Sequence, residues 1–233
     1  MSGVLYGIGL GPGDPELMTL KAARLIGAAT VLAYPALPGV DSFARSIAAG
    51  IIPTRAREIT LSVPMSVERG PAQAAYDAGA AEIAAVLDSG EDVVFLCEGD
   101  PLFYGSFMYL LARLRDRFTV EIVPGVTSVS AGAARLALPV AARNEVLSVI
   151  PAPMESAALA EHIGRADAVA IMKVGRHLGR VRGVIDGLGL LDQASYIERA
   201  TLAAEKRMPL AKAPDPAPYF SLILLTKGAD PWL

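Results

Sequence analysis

Short β-branched apolar runs bounded by Gly or Pro recur along this chain, and Ala-rich stretches with helical spacing separate them. Val4–Gly9, Thr30–Tyr34, Val93–Cys97 and Val120–Val123 carry little polarity on either alternating face, the pattern of strands buried on both sides. Pro15–Ile26, Gln73–Leu87 and Pro101–Leu114 place their aliphatic residues about one helical turn apart. Strand and helix alternating at these spacings predict a mostly parallel sheet with helices on both faces. A break falls at Pro124-Gly125, after which Thr127 or Ser128 can cap a helix ending near Leu136. Beyond it the alternation loosens. Val146–Ile150, Ala168–Met172, Ser195–Arg199 and Phe220–Thr226 are expected strands, and Ala157–Ile163 and Leu178–Leu188 expected helices. The proline-rich stretch Pro209–Pro218 is expected to be a loop.

Composition narrows the function classes. A chain of 233 residues, 53% hydrophobic and 19% charged, can bury a sizeable core and is too apolar for disorder. Lys and Arg number 21 against 24 Asp and Glu, so the net charge of -3 weighs against nucleic-acid binding. One cysteine, Cys97, and two histidines, His162 and His177, leave little for a disulfide or a zinc site, and no metal is expected. The N-terminus shows no basic leader, and no apolar run reaches membrane-spanning length. The expectation is a soluble, cytoplasmic protein.

Five segments could carry chemistry. In Tyr6–Leu20, YGIGLGPGDPELMTL, a strand ends at Gly9 in a Gly/Pro turn and Asp14-Pro15 opens a helix. A dinucleotide fingerprint fails here: Asp14 stands at the third glycine position, and no acid follows at the ribose-binding distance. In Cys97–Phe107, CEGDPLFYGSF, a second strand ends in Gly-Asp-Pro beside Phe103 and Tyr104. Two such loops at strand carboxyl ends would border one crevice, where open α/β sheets bind ligands. Glu98 and Asp100 there suit a cationic or hydroxyl-rich ligand better than a phosphate. The third segment is Val120–Pro139, with Thr127 and Ser128 among small residues. The fourth is Ala170–Arg176, AIMKVGR. The fifth pairs Tyr196–Thr201, YIERAT, with Ala217–Leu225, APYFSLILL. No Ser-His-Asp arrangement is visible, and Cys97 reads as a buried small side chain.

Taken in order, GLGPGD, EGDP, VPGVTS, MKVGR and YIERAT resemble the tetrapyrrole methylase family. Within it the chain looks most like the members that methylate C20 of precorrin-2, through AYPALPG (Ala33–Gly39), CEGDPLFYGSFMYL and APYFSLIL. The resemblance implies two α/β domains, residues 1–125 with a mostly parallel sheet and residues 126–233 with a mixed sheet. It further implies S-adenosyl-L-methionine in a cleft between them, leaving as S-adenosyl-L-homocysteine. It places Pro12, Glu98, Gly99, Asp100, Phe103, Thr127, Ser128, Met172 and Ala200 at the cofactor. Some relatives carry an acid directly after the tyrosine matching Tyr34; here Pro35 stands there, so no carboxylate base carries over. Tyr34, Glu98 and Tyr104 are candidate proton acceptors by location. A substrate rich in carboxylates makes Arg45, Arg55, Arg143 and Arg176 candidate clamps. The implied activity is C20 methylation of precorrin-2 to precorrin-3A in cobalamin synthesis, by a homodimer with no nucleic-acid or membrane partner. The rivals are the same reaction on cobalt-factor II, a methylase of this fold acting on rRNA or a translation factor, a nicotinamide oxidoreductase, and a non-catalytic binding module.

Overall fold

The computed structural model describes residues 2–64 and 68–228. Two compact units divide the chain, Met1–Thr127 and Ser128–Leu233.

The first unit is built on five parallel strands, β1 (Val4–Gly9), β2 (Val31–Ala36), β3 (Arg57–Ser62), β4 (Val93–Cys97) and β5 (Thr119–Val123), in the order β3-β2-β4-β1-β5. β4 lies at the centre and all five of its residues are buried, as a continuous VVFLC run requires. Alternate residues serve opposite faces. Val93, Phe95 and Cys97 pack with helices α3 (Arg69–Asp88) and α4 (Phe107–Leu114), where Phe95 and Phe107 meet at 5.7 Å between ring centres. Val94 and Leu96 pack with α1 (Leu20–Ala28) and α2 (Phe43–Ala48).

The second unit has a mixed sheet of β6 (Leu147–Pro151), β7 (Ala168–Met172), β8 (Ala194–Glu198), β9 (Lys206–Pro209) and β10 (Ser221–Thr226), ordered β6-β7-β10-β8-β9. Only β6 and β7 run parallel; the other three pairings are antiparallel. Helices α6 (Ser156–Arg165) and α7 (Leu178–Gly187) cover the face carrying Val169, Ile171, Tyr196 and Ile223. Helix α5 (Ser128–Leu136) lies on the other face, where a Cβ on Gly132 would come within 2.7 Å of Leu222.

The parallel first sheet and mixed second sheet agree with the sequence reading, and two helices differ from it. The helix expected over Pro15–Ile26 is two pieces. The Asp14 carboxyl accepts from Glu16 N at 2.9 Å, closing a single 3-10 turn over Pro15–Leu17. Met18 is extended, and Thr19 then caps α1 by accepting from Ala22 N. The helix expected from Pro101 begins only at Phe107, because Tyr104 sits at φ +57° and no right-handed helix runs through it. β3, α2 and β9 had no counterpart in the sequence reading.

Candidate functional site

Three connections at the carboxyl edge of the first sheet meet backbone to backbone. Gly11 and Gly99 exchange amide hydrogen bonds, Gly99 N to Gly11 O at 2.8 Å and Gly11 N to Gly99 O at 3.2 Å. Leu10 N reaches Cys97 O at 2.9 Å. The connection after β5 joins them: a Cβ on Gly9 would stand 2.5 Å from Gly125 N and 2.8 Å from Gly99 O. No side chain fits between these chains, so the sequence supplies glycine at both Gly9 and Gly125. The loops of GLGPGD, EGDP and VPG, about 90 and 25 residues apart in sequence, thus form one junction.

Asp100 braces that junction. Its Oδ1 accepts from Leu102 N (2.9 Å) and Phe103 N (3.1 Å), and its Oδ2 accepts from Gly125 N at 3.0 Å. Three amide donors leave little of the carboxylate for a ligand, so the side chain acts on loop shape. Pro12 and Gly99 are half-buried beside it, and Phe103 packs edge-on to exposed Tyr104 at 5.4 Å. Burial raises the Glu98 carboxyl above its ordinary value, against amides of Glu98 and Ala44 that favour the ionised form. The Cys97 thiol is fully buried and pushed far up, so it is no nucleophile. Thr127 is half-buried directly ahead of α5.

A second feature of this unit is a cleft of about 410 Å³ lined by Tyr34, Ser42, Arg45, Ser46 and Thr60, among others. Tyr34 donates to Glu58 Oε2 at 2.5 Å, and Arg45 holds both oxygens of Glu58, Nε to Oε2 at 2.6 Å and Nη2 to Oε1 at 2.8 Å. The Arg45 guanidinium keeps Glu58 below the usual carboxylate range, while burial and the Glu58 bond push the Tyr34 phenol up. Arg45 is therefore neutralised within its own unit. Glu58 escaped the sequence reading with its strand, because Arg57, Glu58 and Thr60 interrupt the apolar pattern. Arg55 is exposed and apart from the cleft lining.

In the second unit Met172 ends β7, half-buried, and its carbonyl accepts from Ala152 N at 2.8 Å. Ala200 is half-buried in the turn after β8. It is flanked by two non-glycine residues in the left-handed region, Arg199 at φ +49° and Thr201 at φ +71°. Carboxylates hold both flanks. Glu198, 2% exposed, accepts from Tyr196 Oη at 2.6 Å and from Arg199 Nη1 at 3.2 Å. Glu205 accepts from Thr201 N at 2.7 Å and from Arg135 Nε at 2.8 Å. Lys173, directly after Met172, is also left-handed at φ +57°. Strained residues at strand ends of this kind gather where backbone shape serves a ligand. Ser128 opens α5. Arg143 and Arg176 are both exposed, Arg143 at φ +48° and Arg176 in a 3-10 turn.

The family model for tetrapyrrole (corrin/porphyrin) methylases matches residues 4–214. The chain belongs to that family. It is 43% identical to a precorrin-2 C(20)-methyltransferase of a Sinorhizobium species, over 99% of each protein. It is 44% identical to the cobalamin biosynthesis protein CobIJ of Mycobacterium tuberculosis; 97% of the chain aligns, and it spans about half, 46%, of that longer relative. A cobalt-precorrin-2 C(20)-methyltransferase of Salmonella typhimurium is 34% identical, over 97% of the chain and 98% of the relative. Among solved structures, the native uroporphyrin III C-methyl transferase of Thermus thermophilus superposes with TM-score 0.68 at 26% identity, covering 97% of this chain and 92% of that one. A Thermus thermophilus structure of that enzyme complexed with S-adenyl homocysteine gives TM-score 0.69 at 24% identity, with the same coverage. Family membership agrees with the fold and with the resemblance seen in the motifs. Among the described residues no group of three His, Cys, Asp or Glu could hold a metal ion, and no helix is long and apolar enough to cross a membrane.

Proposed function

We propose that this protein is an S-adenosylmethionine-dependent methyltransferase that methylates C20 of precorrin-2, giving precorrin-3A in cobalamin synthesis. The observation that carries this reading is the end-to-end match, 43% identical over 99% of both chains, to a precorrin-2 C(20)-methyltransferase. The lower identity, 34%, of the cobalt-precorrin-2 relative favours the metal-free substrate over cobalt-factor II.

The glycine junction fits an adenosyl donor. Gly99, beside which a Cβ would meet nothing within 4 Å, leaves bare backbone open at the junction, and the neighbouring Glu98 carboxyl suits a sulfonium cation. In this reading Pro12, Glu98, Gly99, Asp100, Phe103, Thr127, Ser128, Met172 and Ala200 contact the donor, Asp100 chiefly through its backbone. When bound, the donor supplies a methyl already activated on positive sulfur, so the chemistry asks for no enzyme nucleophile and no metal. The residues' task is then to fix orientation, a contribution of up to about 7–11 kcal/mol. Arg55, Arg143 and Arg176 remain candidates for substrate carboxylates, while Arg45 is taken up by Glu58. We read the protein as a cytoplasmic homodimer acting on a small-molecule tetrapyrrole, with no nucleic-acid or membrane partner.

The test is incubation with S-adenosylmethionine and precorrin-2, metal-free and cobalt-loaded in parallel, followed by NMR location of the added methyl. A new methyl on C20 of the metal-free macrocycle is expected. A methyl at another carbon, or turnover of the cobalt form alone, would refute the assignment.

A further inference from the structure

We propose that Tyr34 and Glu58 form a proton relay that removes the hydrogen displaced from the methylated carbon, a step that rests on the C-methylation reading above. C-methylation of a bridging carbon replaces a C–H bond with a C–CH3 bond, so one proton must leave the macrocycle. The donor accepts none of it, because its methyl departs with the sulfur keeping the electron pair.

The cleft beside α2 has the parts this step needs. Tyr34 lies on β2 and lines the cleft, and its hydroxyl already donates to a carboxylate. Register places Tyr34 beside Thr60 and one residue past Ala33, which pairs with Phe95 of β4. The relay therefore lies near the carboxyl edge of the same sheet that carries the glycine junction. Arg45 grips Glu58 through Nε and Nη2, which fixes the acceptor oxygen against the phenol. Glu98 does not line this cleft. In the step, the C–H bond breaks and its electron pair returns to the ring system. Tyr34 Oη gains that proton while passing its own to Glu58 Oε2. A protonated, methylated macrocycle is a strong carbon acid, so a carboxylate held ionised by arginine is basic enough to accept. Tyr34 is the catalytic residue, Glu58 the terminal acceptor and Arg45 a positioning residue.

The experiment compares wild type, Tyr34→Phe, Glu58→Ala and Glu98→Gln on precorrin-2 carrying protium or deuterium at C20. Tyr34→Phe keeps the Arg45–Glu58 pair, so it separates loss of the relay from loss of folding. It is expected to lower kcat by about 10²-fold or more, with KM values and calorimetric affinity for S-adenosylhomocysteine within about twofold of wild type. A deuterium effect on kcat should appear in that variant and exceed the wild-type effect. Formate should restore part of the rate to Glu58→Ala. Wild-type kcat in Tyr34→Phe, or absence of formate rescue, overturns the relay. So does a deuterium effect confined to Glu98→Gln, which would move the proton to Glu98. Where those variant results overturn the relay but the wild type methylates C20, the functional reading stands; a wild type that leaves C20 untouched sinks both.

Discussion

The two units shape the ends of their strands by opposite means. In the first, three connections touch through bare backbone, and the contact exists because Gly9 and Gly125 lack a Cβ. In the second, side chains hold the shape. Glu198 and Glu205 pin the turn around Ala200, and Lys173, Arg199 and Thr201 occupy the left-handed region without being glycine. A junction set first by sterics, with Asp100 bracing it through Gly125 N, has little slack. A turn set by carboxylates can relax, and it depends on their ionisation.

The largest break in that comparison should come from Gly9→Ala. The new methyl would stand 2.5 Å from Gly125 N and 2.7 Å from Gly125 Cα, both backbone, so the loops must part. Loss of S-adenosylhomocysteine binding by calorimetry is expected, together with about 2–4 kcal/mol of stability in urea unfolding, the range of severe steric mutations.

Acid should sharpen the contrast next. Glu205 has its carboxyl lowered below the ordinary 4.5, first by the Arg135 hydrogen bond, with burial opposing. Its contribution is complete above pH 4.5 and is lost as pH falls through the lower folded value. Glu98 runs the other way: burial raises it, so its folded form favours the proton, and stability falls as pH rises through the folded value. Urea titrations from pH 3 to 7, a span on the order of these carboxylate ranges, should show Glu205→Gln flattening the acid limb. At neutral pH the same variant should cost about 1–3 kcal/mol, since it removes the acceptor of Thr201 N and Arg135. An unchanged acid limb would show that the Ala200 turn holds its shape without this carboxylate.

The smallest effect should be a gain. Lys173 is exposed at φ +57°, so Lys173→Gly relieves left-handed strain of about 1–2 kcal/mol against a flexibility cost of about 0.5–1 kcal/mol. A rise in Tm of a few degrees is expected by calorimetry; a fall would mean that the lysine side chain contributes more than its backbone costs.

Much of the first sheet was legible because full burial leaves an unambiguous mark. VLYGIG and VVFLC match β1 and β4 to the residue, and in the second sheet AVAIM does the same for β7. β3 was missed because an edge strand is buried on alternate residues only, Ile59 and Leu61, and REITLS reads as polar. α2 is too short to show a period. At the site, the sequence predicts that the GLGPGD and EGDP loops border one crevice, but not that the connection at Gly125 joins them backbone to backbone, since closeness across more than a hundred residues is a product of strand order. The Glu58 bridge was invisible for the same reason. Arg45 reads in the sequence as a candidate clamp for substrate carboxylates; β3 alongside β2 supplies Glu58 as its partner within the unit.

The exchange of amides between Gly11 and Gly99 gives two separate connections a single stiffness. Neither can swing without unzipping the other, so their amide protons should swap slowly with heavy water although both sit outside any regular strand. A visitor landing on this rim meets a surface already set at synthesis, and the entropy of ordering it does not recur with every turnover.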